Sequence, residues 1–178
     1  MAKITVTNHL SLDGVMEAPE SWAHPNTDDV MGRKLGERMA RPGSLLLGRR
    51  TYEQFYAYWP HQKDDPIADL LNRRQKYVAS RTLEEPLPWE NSTLVRGDFA
   101  ALKESVDDHI SVLGSGDLLQ TLMRDGLVDE YLLMIHPLVL GSGQRMFPDG
   151  GPPLGLRLVE AITTTTGVVI ATYQKESS

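Results

Sequence analysis

The sequence predicts an α/β fold of three layers, an α/β/α sandwich with one mixed sheet of about eight strands, in a single domain over residues 1–178. Up to residue 126, short apolar segments alternate with amphipathic ones, which requires crossover connections and a mainly parallel sheet. From Glu130 onward, strand-like segments follow one another without a clear helix, so these strands must join one edge of the sheet in antiparallel pairs. A length of 178 residues suits one hydrophobic core.

The N-terminal segment is predicted to be a strand followed by a turn and a long loop. Between Lys3 and Leu10, apolar side chains alternate with β-branched threonines, which is typical of a strand. Asp13-Gly14 is a turn signal, and residues 17–27 contain two prolines and no apolar periodicity. Because long loops in compact domains usually carry function or motion, we predict that this loop is a lid over a site.

Helices and strands alternate in the segments that follow. Asp28 stands where an N-cap would begin the first helix, and Gly43 follows its end. The predicted helices carry apolar side chains three or four residues apart and pass through residues 31–39, 52–56, 67–71, 99–106 and 118–123. The other predicted strands are 45–47, 77–79, 91–95, 110–113, 131–135, 154–161 and 168–173, with a hairpin corner at 163–167.

Charge and composition exclude several classes of protein. The 24 acidic residues outnumber the 18 basic ones, and the formal charge of −6 gives no general attraction to nucleic acid or to an anionic membrane. The absence of cysteine excludes disulfides, thiolate metal sites and thiol nucleophiles. The N-terminus lacks the features of a signal peptide, and Pro137 interrupts the longest apolar stretch, 131–140. We therefore expect a soluble, cytoplasmic protein.

Neither a metal site nor a serine hydrolase site is expected. The five histidines form no His-x-x-x-His pair. Gly114-Ser115-Gly116 and Gly141-Ser142-Gly143 both lack the Gly-x-Ser-x-Gly spacing of a nucleophile elbow. His136-Pro137 is interpreted as the end of a strand.

Two turns share the order strand, glycine, helix. One is Gly48-Arg49-Arg50-Thr51, and the other is Gly114-Ser115-Gly116-Asp117. In each turn, glycine permits close approach of a ligand, and the following helix offers unpaired N–H groups and the positive end of its dipole. Both turns lie at the carboxyl ends of parallel strands, where α/β proteins bind ligands. Together they favour a dinucleotide, whereas each taken alone is also compatible with a tight turn that binds nothing.

Arginines mark the same edge of an otherwise acidic chain. Arg49 and Arg50 follow one buried strand, and Arg81 lies in the turn Ser80-Arg81-Thr82 after another. Guanidinium groups with neighbouring hydroxyls suit a phosphate monoester such as the 2′-phosphate of NADP. The alternative is that these arginines are solvated at the surface.

Four segments carry a resemblance to a known family. They are Leu-Leu-Leu-Gly-Arg-Arg-Thr-Tyr-Glu at 45–53, Ser-Arg-Thr-Leu at 80–83, Val-Leu-Gly-Ser-Gly-Asp-Leu-Leu-Gln at 112–120, and Gly-Leu-Val-Asp-Glu-Tyr-Leu-Leu-Met-Ile-His-Pro-Leu-Val-Leu-Gly-Ser-Gly at 126–143. They resemble the dihydrofolate reductase-like family, and more closely its branch related to the reductase domain of the bifunctional riboflavin-biosynthesis deaminase/reductase. The resemblance implies an NADPH-binding reductase, often homodimeric, that acts on a small nitrogen heterocycle, pterin-like or pyrimidine-like.

The resemblance also implies which residues bind the cofactor and the substrate. The 2′-phosphate and pyrophosphate side would be held by Gly48, Arg49, Arg50 and Thr51. The adenosine would be flanked by Ser80, Arg81 and Thr82, and the pyrophosphate by Gly114, Ser115, Gly116, Asp117 and Leu118. The turn 11–14 would lie against the nicotinamide, with the backbone of Asn8 and His9 beside its carboxamide. The candidate substrate-binding residues are Asn8, Gly14 and Trp22.

The chain departs from the family pattern at the catalytic acid. True dihydrofolate reductases place one buried acid in the first helix, but here Asp28 and Asp29 are no clean match, and Asp28 also suits a helix cap. The departure argues against dihydrofolate itself as the substrate. Hydride transfer still needs a proton source, for which the candidates are Asp13, His9 and Asp28. Two alternatives stay open: a nucleotide-binding module without turnover, and an anion-binding domain without a dinucleotide.

Overall fold

The computed structural model describes residues 1–177, in which eight strands form one mixed sheet. The strands are β1 (Ile4–Leu10), β2 (Ser44–Gly48), β3 (Lys76–Ala79), β4 (Ser92–Val95), β5 (Ile110–Leu113), β6 (Glu130–Ile135), β7 (Leu156–Thr163) and β8 (Val169–Lys175). The helices are α1 (Asp29–Ala40), α2 (Arg49–Tyr58), α3 (Pro66–Arg73), α4 (Phe99–Ser105) and α5 (Gly116–Arg124). Short 3₁₀ helices lie at Pro19–Ser21, His24–Asn26 and Trp59–His61.

The order of the strands in the sheet is β4-β3-β2-β5-β1-β6-β8-β7. The first six strands in this order run parallel, and β8 pairs antiparallel with both β6 and β7. The predicted mixed sheet with an antiparallel C-terminal edge is therefore confirmed. The strand predicted at 154–161 instead spans 156–163, because pairing with β8, from Leu156 with Lys175 to Thr163 with Val169, sets its limits.

Helices cover both faces of the sheet, which confirms the three-layer prediction. On one face, α4 and α5 pack in a core that includes Val6, Leu46, Phe99, Val112, Leu119 and Leu122. On the other face, α2 and α3 pack in a core that includes Leu45, Leu47, Tyr52, Leu71 and Trp89. On that same face, α1 packs Met31 against Leu132 and Met134. None of the helices in the described residues is long and apolar enough to span a membrane.

A buried carboxylate at the amino end of β6 joins the sheet to α1. Glu130 is 5% exposed, and it accepts hydrogen bonds from Arg38, which is 6% exposed, and from Gln174 at 3.0 Å. Lys3 adds an ion pair at 3.2 Å. Burial by itself raises the pKa of Glu130, but these bonds outweigh it and hold the pKa at about 2. Glu130 is therefore an ionised residue whose partners are all supplied by the fold.

Candidate active site

The six parallel strands end side by side, and the row of their carboxyl ends forms one edge of the sheet, as distinct from its outer strands. The predicted site segments are found at four of these ends: 8–14 at β1, 48–51 at β2, 80–82 at β3 and 114–118 at β5. Since β2 lies between β3 and β5, and β5 lies next to β1, the four segments are neighbours along the edge. The fold therefore brings together the segments that the sequence predicts to bind a cofactor.

Ser115 joins the two glycine turns. Its Oγ accepts a hydrogen bond from the N–H of Gly48 (2.8 Å) and donates one to Oγ1 of Thr51 (2.8 Å). A Cβ on Gly48 would lie 2.6 Å from this oxygen, so a larger residue would push the two turns apart. Gly114 and Ser115 both have a φ of +62°, the left-handed conformation that turns the chain from β5 into α5. The turns after β2 and β5 thus form one unit that brings the first turns of α2 and α5 together.

The N-termini of α2 and α5 have no side-chain cap in the described chain. The other three helices are capped by the carboxylates of Asp28, Asp65 and Asp98, which accept bonds from N–H groups of the first turn. Ser115 occupies the N-cap position of α5, but its hydroxyl bonds to the other turn. The first-turn N–H groups of α2 and α5 therefore remain available to an anion, which the helix dipoles also favour.

The arginines of this edge differ in how free their side chains are. Arg49 donates from Nε to Glu53 (3.0 Å) and from Nη1 to Thr82 (2.6 Å), so it ties α2 to the turn after β3. The side chains of Arg50 and Arg81 are exposed, and neither makes a hydrogen bond or an ion pair with residues in the range 1–177. A phosphate at this edge would therefore meet Arg50 and Arg81 first, while Arg49 holds the turn in place.

The turn after β3 is held by its own hydroxyl and by a further arginine. Ser80 Oγ accepts hydrogen bonds from the N–H groups of Thr82 (3.2 Å) and Leu83 (3.0 Å). Arg96 follows β4 and donates to the carbonyl oxygens of Arg81 and Leu83, each at 3.1 Å. Arg96 is not among the predicted site residues, although it follows a predicted strand as the other arginines of this edge do.

The first turn of α5 offers a ligand backbone groups rather than side chains. Leu118 is 6% exposed and packs in the core. Asp117 lies in the first turn, where its carboxylate interacts well with the helix dipole but repels an anion. Gln144, which was not predicted, lies so close to Gly116 that a Cβ there would meet its amide. A cavity of about 540 Å³ next to this turn is lined by Gln120, Gly143, Gln144, Arg145, Pro148 and Asp149.

The strand β1 extends beyond its neighbour β5. Pairing with β5 ends at Thr7 and Leu113, whereas pairing with β6 continues to Leu10 and Ile135. On the β5 side, residues 8–10 thus have no strand partner in the described chain, which leaves backbone groups open to a ligand. In this segment Asn8 is 6% exposed, and its Nδ2 is buried without a hydrogen-bond partner in the range 1–177. A ligand acceptor would remove the cost of this unpaired donor, about 1–3 kcal/mol.

Asp13 anchors the turn after β1. Its carboxylate accepts hydrogen bonds from Ser11 Oγ (2.6 Å), from the N–H of Gly141 (2.9 Å) and from the N–H of Leu140 (3.1 Å). The bond from Ser11, followed by the two backbone bonds, lowers the pKa of Asp13 to about 2. A carboxyl group with this pKa is ionised at neutral pH, which argues against the predicted role of Asp13 as a proton source.

Asp28 is the cap of α1, and both of its carboxylate oxygens accept hydrogen bonds. Oδ1 accepts from the N–H of Met31 (2.9 Å), and Oδ2 accepts from both the N–H (2.8 Å) and the hydroxyl (2.7 Å) of Thr165. The bond from Met31, together with those from Thr165, lowers the pKa of Asp28. The helix-cap interpretation is confirmed. The lowered pKa argues against the predicted role of Asp28 as a proton source, as it does for Asp13.

The segment that leads into the predicted lid, residues 15–16, is fixed. Val15 forms a β-bridge with Arg145, and the backbone of Met16 donates to the carbonyl of Gln144 at 2.9 Å. Val15 and Met16 are buried, so the segment before the predicted lid belongs to the packed structure. A lid motion would therefore be confined to residues 17–27, which contain two of the 3₁₀ helices.

His9 and His136 form a hydrogen-bonded pair on the face of the sheet that α1 covers. Nδ1 of His9 lies 2.9 Å from Nε2 of His136, and the ring of Trp22 packs edge-on against His136 with centroids 5.3 Å apart. Burial, followed by the charge of His136, lowers the pKa of His9 to about 4, and burial lowers the pKa of His136. Both rings are therefore neutral at pH 7, so His9 is a hydrogen-bonding group rather than a charged acid.

A family comparison agrees with this geometry. The sequence-family model of the RibD C-terminal domain matches residues 2–170 of this chain. The chain belongs to the RibD C-terminal domain family. Among relatives, the Bacillus subtilis (strain 168) protein YyaP, described as uncharacterized, is 32% identical over 140 residues, which cover 73% of this chain and 72% of YyaP. The resemblance drawn from the four sequence segments is thereby confirmed.

Solved structures share the fold of this RibD C-terminal domain. A putative riboflavin biosynthesis protein from Shewanella sp. PV-4 has a TM-score of 0.75 at 22% identity, over 99% of this chain and 100% of that chain. A pyrimidine reductase-like protein from Corynebacterium diphtheriae NCTC has a TM-score of 0.71 at 15% identity, over 99% and 93%. Dihydrofolate reductase from Enterococcus faecalis, complexed with NADP(H), has a TM-score of 0.66 at 14% identity, over 98% and 97%. The predicted dihydrofolate reductase-like, reductase-type fold is therefore confirmed.

Two residues of the site, His136 and Gln144, lie in segments for which the sequence patterns predict no part in the site. His136 follows a strand, and the proline after it indicates only where that strand ends. Gln144 lies next to Gly141-Ser142-Gly143, a motif whose spacing excludes a nucleophile elbow but predicts nothing else. The signal that could have found them is position: both follow β6, whose carboxyl end lies beside that of β1.

Acid is expected to destabilise the RibD C-terminal domain through its histidine pair. Because the pKa of His9 falls to about 4 on folding from an ordinary value of 6.5, the unfolded chain takes up a proton first. The stabilisation is complete above pH 6.5 and is lost as the pH falls towards 4, at up to about 1.4 kcal/mol per pH unit for each proton. Urea unfolding between pH 7 and pH 4.5 measures this loss.

A matched pair of variants isolates the contribution of His9. We expect His9→Gln to flatten the pH dependence, whereas His61→Gln, at an exposed position, should leave it unchanged. The same slope in His9→Gln as in the unmodified protein would show that other groups cause the acid sensitivity.

Proposed function

We propose that this chain is an NADPH-dependent reductase of a small nitrogen heterocycle, pterin-like or pyrimidine-like. One observation carries the proposal: Ser115 joins two helix N-termini without side-chain caps, next to the free guanidinium groups of Arg50 and Arg81. Backbone N–H groups at helix N-termini bind phosphates, and arginine forks bind terminal phosphate groups. A dinucleotide with a third phosphate uses both kinds of donor at once.

The residues of the edge fit the parts of such a cofactor. The backbone amides of 48–51 and 114–118 suit the pyrophosphate, and the side chains of Arg50 and Arg81 suit the 2′-phosphate. The hydroxyls of the turn 80–82 would flank the adenosine. The gap beside residues 8–10, with the unpaired Nδ2 of Asn8, suits a carboxamide, because a carboxamide offers both an acceptor and donors.

When bound, NADPH supplies the hydride, so the chain itself must orient the substrate and exclude water. Trp22 packs over His136 and is held by a hydrogen bond from its indole N–H to the carbonyl of Glu17 at 2.9 Å. It provides an apolar wall on the face of the sheet where His9 lies. The turn 11–14, which follows β1, is held in place by the bonds of Asp13 to Leu140 and Gly141.

The names of two similar proteins support the class of reaction. The Corynebacterium protein is called pyrimidine reductase-like, and the Enterococcus enzyme is a dihydrofolate reductase complexed with NADP(H). These proteins, at 15% and 14% identity, share the fold of this chain.

Calorimetry and turnover test the proposal together. We expect NADPH to bind more tightly than NADH, and at least one member of a panel of dihydropterins, pyrimidinones and quinonoid compounds to be reduced with oxidation of NADPH. Tight binding of NADPH without oxidation on any compound would favour a nucleotide-binding module, a reading motivated by the two engaged carboxylates. An absence of heat with NADPH would contradict both readings and indicate an anion-binding domain.

A further inference from the structure

One proton lies between the rings of His9 and His136, and it has two neutral arrangements. Nδ1 of His9 and Nε2 of His136 are 2.9 Å apart, a distance that requires one donor and one acceptor. In the first arrangement, His136 donates from Nε2, and His9 carries its own proton on Nε2. In the second, His9 donates from Nδ1, and His136 carries its remaining proton on Nδ1.

The surroundings of His136 favour the first arrangement. His136 is 0% exposed, and its Nδ1 is buried without a hydrogen-bond partner in residues 1–177. The second arrangement would place an N–H at this position, and unpaired buried N–H groups are rare in proteins. The first arrangement leaves only a bare ring nitrogen there. It also gives both rings the Nε2–H form, which is the tautomer that a free histidine side chain prefers in water.

His9 differs from His136 because its second ring nitrogen is not sealed off. The side chain of His9 is only partly buried. Its Nε2 makes no hydrogen bond within the described residues, and these residues do not enclose it. We infer that His136 is a positioning residue that holds His9 as the Nε2–H tautomer, so that His9 presents a neutral N–H donor to the substrate. His136 acts through the pair and need not touch the substrate itself.

The N–H donor of His9 determines which groups of a substrate can bind at this position. A neutral N–H binds a carbonyl oxygen or an unprotonated ring nitrogen and offers no acceptor to an amino group. The carboxylates of Asp13 and Asp28, which could bind amino groups, already accept bonds from within the chain. The site therefore takes a heterocycle that turns a carbonyl or a bare ring nitrogen towards His9, rather than an aminopyrimidine edge. This assignment rests on the proposed function for placing a heterocycle here.

Nitrogen-15 NMR of the cofactor-free protein tests the tautomer without requiring activity. At pH 7 we expect both rings to be neutral with a protonated Nε2, and the signals of His9 to be assigned by their loss in His9→Gln. His136→Phe keeps an aromatic ring but removes the donor, so His9 should then populate both tautomers. His61→Gln, at an exposed position, should leave the pair unchanged. A protonated Nδ1 on His9 in the unmodified protein, or a cationic His9 at pH 7, would overturn the inference.

Two small probes of similar shape test the substrate class. Uracil presents carbonyl acceptors, and 1,3-diaminobenzene presents amino donors at the corresponding ring positions and has no ring nitrogen. In chemical-shift titrations we expect uracil to bind about two- to tenfold more tightly, the range for one neutral hydrogen bond. His9→Asp replaces the donor with an acceptor and should reverse this preference, while His61→Asp should not. If His9→Asp fails to fold, His9→Leu must lower the affinity for uracil by the same factor.

The outcomes separate this inference from the proposed function. Equal affinity for the two probes, preference for 1,3-diaminobenzene, or binding of neither would overturn the assigned substrate class. Failure of NADPH to bind in calorimetry would contradict the proposed function and leave the tautomer result unaffected.

Discussion

Replacing Arg50 with alanine is expected to weaken NADPH binding about 10- to 100-fold and to leave NADH binding nearly unchanged, since one lost hydrogen bond to a charged group costs about 1.5–3 kcal/mol. The side chain of Arg50 is exposed and makes no hydrogen bond or ion pair in the range 1–177. Its replacement therefore removes no interaction that stabilises the fold. The two dinucleotides differ at the 2′-phosphate, so the difference between the two losses reports contact with that group. Calorimetric titration of both dinucleotides into both proteins gives the four affinities.

Two further arginines serve as controls for this comparison. Arg124 lies at the other end of α5 from the site, and Arg124→Ala should change neither affinity. Arg49→Ala breaks the bonds to Glu53 and Thr82 that hold the turn after β3, so it should weaken NADPH and NADH together. An equal loss of both dinucleotides in Arg50→Ala would show that this arginine does not contact the additional phosphate.

Replacing Glu130 with alanine is expected to lower the free energy of unfolding by about 3–5 kcal/mol, the usual cost of leaving one member of a buried ion pair alone. Arg38 would keep its charge in a site where its Nε and Nη2 already lack partners within residues 1–177. Lys3 and Gln174 would lose their bonds to the same carboxylate. Urea unfolding at pH 7 measures the change.

The surface pair of Glu160 and Lys34 provides the matched control. The side chain of Glu160 is 46% exposed, so Glu160→Ala should cost less than about 1 kcal/mol. The pH dependence gives a second control, because the pKa of Glu130 is about 2 in the folded protein and 4.5 ordinarily. Its stabilisation is therefore present above pH 4.5 and is lost as the pH falls towards 2. A similar cost for both alanine variants would contradict a buried role for Glu130.

The residues replaced in these two predictions lie at opposite ends of the parallel strands. Glu130 lies at the amino end of β6, whereas Arg50 lies beyond the carboxyl end of β2. We therefore expect Glu130→Ala, at a temperature where it is folded, to bind NADPH as the unmodified protein does. This arrangement separates the residues that hold α1 on the sheet from those that we propose to bind a ligand.

Several features of the site follow from sequence because they depend on local rules. The turns at 48–51 and 114–118 each combine a buried strand, a glycine and a helix start, and parallel strands place such turns on one edge. The turn 80–82 follows a strand in the same way. The segments at this edge were predictable because chain direction and strand order, not side-chain contacts, bring them together.

Several contacts that lower the pKa of Asp13 and Asp28 were not predictable from sequence, because they come from residues far away in the chain. Asp13 is held by Leu140 and Gly141, and Asp28 by Thr165, none of which any local pattern connects to them. The same is true of the pair of His9 and His136, which are 127 positions apart.

The sequence by itself determined the α/β class, the strand and helix segments, and the position of the two glycine turns, since periodicity and glycine placement are local properties. Only the tertiary structure decided the ionisation states, the free and engaged arginines, and the partner of His9. Those properties depend on which groups become neighbours and lose water when the chain folds, and the strength of each interaction is set by distance and burial.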